Sequence, residues 1–174
     1  MAGDAPWYEA ATVVGMTNAL NVVADGLGAA GMTPVEAAGA ETAALFAEIR
    51  AFYGLGPDAA VPAPFALLAC DPGYLGDVWG AARRAFADNR LTRCHKAALA
   101  FAVSLTTRSA FGTRFHLGEM RRLGVGERGV MEVVGVAQMF SSYTKIADTL
   151  QLESDMRDIA PVDRTGVPGG PGGR

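Results

Sequence analysis

The segment that decides the fold is LTRCHKAALAFAVSLTTRSAFGTRFHLGEMRRLG, which spans Leu91 to Gly124. Its apolar residues predict two consecutive helices with a short polar break at Thr106-Thr107-Arg108. In the second helix, Ser109, Gly112 and His116 follow the spacing i, i+3 and i+7, so they lie along one helix face. We take this face, where a histidine lies beside small residues, as the candidate functional site.

The rest of the chain also shows helical spacing. A first helix is predicted to begin near Trp7 and to end at the glycines that follow Ala24. Thr33-Pro34-Val35-Glu36 has the form of a capping box and predicts a second helix that ends near Gly54. A short helix is predicted over Phe65–Ala69, and Asp71-Pro72 predicts the start of the next. The first helix carries an apolar stripe of Val13, Met16, Leu20, Val23 and Leu27.

The last long helix is predicted from about Glu127 to Leu152. No segment alternates between apolar and polar residues over a useful length, so the fold class is all-α, a bundle of six to seven helices. We expect residues 1–160 to form one domain and the Pro/Gly-rich residues 161–174 to be disordered. The predicted core face of the last helix consists of Val130, Val133, Val134, Ala137, Phe140 and Ile146.

Composition limits the function classes. The chain has 174 residues, of which 50% are hydrophobic, and a formal net charge of -3. The absence of a long basic run argues against nucleic acid or an anionic membrane surface as a partner. No apolar run reaches the roughly 18 residues of a membrane span, and the N-terminus lacks the pattern of a signal peptide. We therefore expect a cytoplasmic protein.

Metal and disulfide chemistry are also disfavoured. Cys70 and Cys94 form no CxxC pair, and structural thiols are the better interpretation. His95 and His116 are the only histidines, which excludes a multi-histidine zinc site. We predict no metal and no cofactor.

The helix pair, Leu91 to Gly124, resembles the central helices of the carboxymuconolactone decarboxylase and AhpD-like alkylhydroperoxidase superfamily. The preceding VPAPFALLACDPGYLGDVWGAARRAF and the following GVGERGVMEVVGVAQMFSSYTKIADTL resemble the neighbouring segments of that family. The resemblance covers roughly residues 60–152. It implies an AhpD-like helical fold.

The resemblance also indicates which chemistry has been lost. Redox members of the family carry a glutamate on the first helix and Cys-x-x-Cys-x-x-x-His at the start of the second. An ungapped match places the glutamate at Ala97, the cysteines at Ser109 and Gly112, and the histidine at His116. Peroxide reduction needs a thiolate and a resolving thiol. The sequence therefore argues against a dithiol peroxidase.

The namesake decarboxylases use no dithiol, so the resemblance leaves room for a cofactor-free lyase, isomerase or cyclase that acts on a small carbonyl or carboxylic substrate, for example in a specialised biosynthetic pathway. His116 is the candidate acid/base, because imidazole titrates near neutral pH. Free backbone N–H groups at the start of its helix could bind an anionic group of the substrate, and the hydroxyl of Ser109 is a candidate additional donor there. Gly112 is expected to enlarge the pocket. The remaining candidate substrate-binding residues are Arg108, Arg114 and Tyr143.

Two other interpretations stay open. The first is a catalytically inactive ligand-binding or scaffold protein, which the joint loss of the glutamate and both cysteines favours. The second is a residual thiol peroxidase that uses Cys94 or Cys70. The resemblance further implies a homo-oligomer, a trimer or hexamer, and the hydrophobic composition agrees with this expectation.

Overall fold

The structure is a computed structural model, and it describes residues 5–35 and 39–152. Within these ranges all regular secondary structure is helical, which confirms the predicted all-α class. The chain divides into two compact units, one up to Met139 and one from Phe140. The predicted tail at 161–174 lies outside the described residues. The seven helices in these ranges are α1 (Ala5–Ala29), α2 (Ala40–Tyr53), α3 (Ala63–Leu68), α4 (Pro72–Phe86), α5 (Arg93–Thr107), α6 (Ala110–Arg122) and α7 (Glu127–Leu150).

Local capping signals set the starts of three helices. The side chains of Asp71, Thr92 and Ser109 each accept a hydrogen bond from a backbone N–H three residues later, at the starts of α4, α5 and α6. The break between α5 and α6 falls at Arg108, which adopts the left-handed conformation and ends α5. The predicted helix pair is confirmed.

The predicted start of α2 at Thr33 is wrong, because α2 begins at Ala40. Thr33 to Val35 are not helical, and the backbone N–H of Val35 donates to the carbonyl of Ala66 at 3.0 Å. This long-range bond holds the segment against α3. Glu36, the second member of the predicted capping box, lies outside the described residues.

The core lies where α1 packs against α3, α4, α5 and α6. Its apolar centre includes Val13, Ile49 and Leu75, and Trp79 and Phe86 are also buried. The buried face of α1 is rotated from the predicted stripe because it includes Thr17 and Asn21. The predicted stripe residues Met16, Val23 and Leu27 are only partly buried.

A buried ion pair fixes the start of α1. Lys96 is 1% exposed, and its Nζ lies 3.3 Å from Glu9 Oε2 and 2.6 Å from the carbonyl oxygen of Ala87. Glu9 also accepts hydrogen bonds from the backbone N–H groups of Arg90 and Leu91, and the Leu91 bond in particular lowers the pKa of Glu9. The pair therefore holds the first turns of α1 beside the start of α5.

The prediction of a core face on the last helix is correct only for the first half of that helix. Val130 and Ala137 are buried, and Val133 and Val134 are partly buried. Phe140 and Ile146 were predicted to be core residues, but both are exposed. No helix in the described part of the chain is long and apolar enough to cross a membrane.

Candidate functional site

The three residues of the predicted site face are all buried. Ser109 precedes α6 as its N-cap, and Gly112 and His116 lie on the inner side of the helix. Ser109 Oγ accepts a hydrogen bond from the backbone N–H of Gly112 at 2.9 Å. Its hydroxyl therefore acts as a helix cap.

The start of α6 has little capacity left for an anion. The N–H of Gly112 is satisfied by Ser109, and the N–H of Phe111 donates to Asp25 Oδ1 at 3.4 Å. Both acceptors belong to the chain itself. A substrate carboxylate or enolate at this position would have to displace them.

Gly112 does not enlarge a pocket, contrary to the expectation from sequence. A Cβ atom at this position would overlap the Asn21 side chain and Ser104 Oγ. Asn21 Nδ2 donates to Ser104 Oγ at 3.0 Å, and Ser104 donates to the carbonyl of Ala100 at 2.8 Å. The glycine thus permits close packing of α1 and α5 against the start of α6.

His116 lies one turn further along α6 and borders a small cavity. The cavity measures about 10 Å³, which is about the room that one water molecule needs. Ala97 lines the same cavity. The imidazole packs against Phe86 and Phe115, with ring centroids 6.0 and 5.1 Å away.

Burial determines the protonation of His116. It lowers the pKa of the imidazole to about 4, although the nearby charge of Glu119 opposes this shift. The side chain is therefore neutral at pH 7. It can accept a proton, but it is a weak base and is not charged in the resting protein.

Glu119 is held by two arginines beside this cavity. Arg122 binds both carboxylate oxygens, with Nε and Nη2 each 2.8 Å from an oxygen, and Arg93 Nη2 lies 3.1 Å from Oε2. The hydrogen bonds to Glu119 raise the pKa of Arg122. Burial and the Glu119 charge raise the pKa of Tyr53, which also lines the cavity. With both carboxylate oxygens engaged, Glu119 is poorly placed to act as a free base.

The predicted substrate-binding side chains Arg108 and Arg114 do not line the cavity beside His116. Arg108 and Arg114 are exposed to solvent. Tyr143 is 59% exposed in the unit that begins at Phe140. His95 is exposed at the start of α5, and its Nδ1 lies 2.7 Å from Thr92 Oγ1.

The cysteines are both free thiols, Cys70 exposed and Cys94 partly exposed. Neither lines the cavity beside His116. Among the described residues, no cluster of three or more metal-ligating side chains is found.

A larger concave surface lies elsewhere in the unit that ends at Met139. It is a groove of about 550 Å³ between the first turns of α1, the outer side of α5 and the first half of α7. Its ionisable residues are His95 and Glu132. The groove is otherwise lined by the apolar or small residues Pro6, Trp7, Ala10, Leu91, Ala98, Leu99, Ala102, Gly129, Val133 and Val136.

Sequence reasoning missed both Glu119 and the groove. Glu119 follows His116 by three residues on one helix, and this i, i+3 spacing was a usable signal. The groove combines three helices that are distant in sequence, so it has no local signal.

No protein-family model, curated protein or solved structure matches this chain.

Proposed function

We propose that this protein is a catalytically inactive, AhpD-like binding protein whose groove takes up a small, mostly apolar molecule. The observation that carries the proposal is the groove itself. Its volume of about 550 Å³ falls in the range of small-molecule sites, and its wall is mainly apolar with ionisable side chains only at His95 and Glu132. Such a wall favours an apolar ligand with at most one or two polar groups.

The packing around the former redox motif supports a non-catalytic role. The position that would carry a reactive side chain, Gly112, is in close contact with Asn21 and Ser104. The cavity beside His116 has room for about one water, far below the volume of an organic substrate. Ligand binding in the groove requires no rearrangement of the contacts around Gly112 or of the cavity beside His116.

Membership of the AhpD-like superfamily is part of the same proposal. Ala97 and His116, the positions that match the glutamate and histidine of the family, line one cavity. This proximity agrees with the ungapped match of the helix pair in this chain to the central helix pair of the family. The binding proposal does not depend on it, because the groove is described by its own geometry.

The proposal can be tested with N-phenyl-1-naphthylamine, a neutral probe whose fluorescence rises in apolar surroundings. We expect saturable binding to the wild-type protein. Ala98→Phe places a ring in the groove and should weaken binding at least ~10-fold, a loss of about 1.4 kcal/mol. Ala19→Phe, on the exposed side of α1, is the matched control and should change affinity less than about twofold.

Two results would count against the groove as the binding site. One is the absence of saturable probe binding to the folded wild-type protein. The other is equal affinity in the Ala98→Phe and Ala19→Phe variants. Circular dichroism of each variant establishes that the helices remain formed.

A second candidate function has its own supporting observation: His116 is neutral and buried, and it borders a small cavity that Arg93 and Glu119 also line. In this alternative the protein is a cofactor-free acid/base enzyme, in which His116 accepts a proton α to a carbonyl. The cavity, which has room for about one water, would have to widen to admit a substrate. A role of Ser109 as a donor would also require the loss of its capping bond to Gly112.

Hydrogen–deuterium exchange at the α-carbon of small oxo acids tests this alternative. Exchange that is catalysed by the wild-type protein and abolished in His116→Gln would favour the enzyme over the binding protein. Equal rates with both proteins would remove His116 from any such reaction. The Ala98→Phe variant serves as a control because Ala98 lines the groove and not the cavity.

A further inference from the structure

We propose that the C-terminal half of α7, from Phe140 to Leu150, pairs with the same segment of a second copy of this chain. We call this segment the tail helix. This pairing is independent of ligand binding in the groove, whose lining residues all precede Met139.

The tail helix carries an apolar seam with coiled-coil spacing. Tyr143, Ile146 and Leu150 are separated by three and then four residues, which is the spacing of the a and d positions in a heptad. Phe140 lies one turn before Tyr143.

All of these tail-helix side chains are exposed. Phe140 is 70% exposed, Leu150 62%, Tyr143 59% and Ile146 52%. Within the described residues 140–152, Ala147 is the only one that is even partly buried. An isolated helix of about this length is marginal in water, because helical stability in proteins comes mainly from packing an apolar face. A partner that covers the seam would supply that packing.

The charge pattern points to an identical helix as the partner. If Tyr143 and Ile146 are a and d, the flanking e positions are Phe140 and Ala147 and the flanking g positions are Ser142 and Thr149, none of which is charged. Charges at these positions select partners in coiled coils. Their absence means that a second copy meets no like-charge repulsion. The charged residues Lys145 and Asp148 lie at c and f, away from the seam.

The exposed area is sufficient for a weak pair. The four apolar side chains together expose roughly 500 Å² per chain, so two copies would bury at most about 1,000 Å², which is the size of a weak or transient interface. An interface of this size predicts an association that depends on protein concentration. It also predicts that one or two charged substitutions in the seam will disrupt the pair.

Sedimentation equilibrium of the full chain tests the proposal, over protein concentrations from about 2 to 200 μM. We expect the wild-type protein to associate and Ile146→Lys to weaken association at least ~10-fold. Ile146→Ala should give a smaller decrease of the same sign. Ser141→Lys places the same charge on the same helix at the f position, outside the seam, and should associate like the wild type.

Each outcome decides the question. A wild-type chain that stays monomeric throughout this range overturns the proposal, as does association that Ile146→Lys and Ile146→Ala leave unchanged. Equal disruption by Ser141→Lys would also overturn it, because the effect would then not belong to the seam. Probe binding in the groove should be unaltered in all three variants, so failure here is distinguishable from failure of the binding proposal.

Discussion

The side-chain amide of Asn21 lies directly against Gly112, so that α1 covers the start of α6. Under the proposed family relationship, Gly112 takes the place of a redox cysteine. No side chain fits there without displacing Asn21 or Ser104. The packing of α1 therefore explains why a thiol is sterically incompatible with this position.

Replacing Gly112 by alanine should destabilise the protein by about 1–3 kcal/mol, because the added methyl group overpacks a buried contact. Gly118 provides the matched control, since it lies in the same helix and a Cβ there meets open space. Gly118→Ala should stabilise the protein by roughly 0.5–1 kcal/mol through helix propensity. Chemical denaturation of both variants measures the difference, and stabilisation by Gly112→Ala would show that the contact is loose.

Glu119→Gln should destabilise the protein by about 2–4 kcal/mol. The change removes the charge that pairs with Arg93 and Arg122 and leaves both guanidinium groups poorly compensated, although Arg122 is partly solvated. The control is Glu127→Gln, which breaks the exposed pair with Arg121 and should cost less than about 1 kcal/mol. Similar losses in the two variants, measured by urea denaturation, would mean that burial does not strengthen the Glu119 cluster.

Acid should destabilise the protein through His116. Its pKa is about 4 in the folded protein and near 6.5 in the unfolded chain, so the unfolded state binds the proton more readily. The contribution of His116 to stability is therefore complete above pH 6.5 and is lost as the pH falls from about 6.5 to 4. The loss amounts to roughly 3 kcal/mol.

The measurement for this prediction is the free energy of unfolding against pH in wild type and His116→Gln. Carboxylates such as Glu9 also contribute at low pH, so the difference between the two proteins isolates the imidazole. The wild-type curve should fall more steeply between pH 6.5 and 4. Parallel curves would mean that His116 is accessible to protons in the folded state.

The fold was largely predictable from sequence because its signals are local. Thr92 and Ser109 cap helices through bonds to residues three positions away, and the pair of helices that follows them was predicted correctly. Thr33 carries an equally clear local signal, but Val35 bonds to Ala66 and the helix starts later. Tertiary contacts thus overrode local propensity at that position.

The candidate site was less predictable because its geometry depends on distant pairs. The spacing of Ser109, Gly112 and His116 correctly predicted a shared helix face. It gave no indication that Asn21 of α1 would occupy the space beside Gly112. Phe140 was predicted to be buried from helical period alone, and period cannot tell a core face from a face that meets another chain.

Tryptophan quenching by acrylamide tests the central claim, ligand binding in the groove, most directly. Trp7 lines the groove and is 79% exposed, whereas Trp79 is 2% exposed in the core, so acrylamide quenches mainly Trp7. Saturating the wild-type protein with N-phenyl-1-naphthylamine should at least halve the quenching constant of the remaining tryptophan emission, and Trp7→Phe should abolish this protection. An unchanged quenching constant in wild type at saturating probe would contradict binding in the groove.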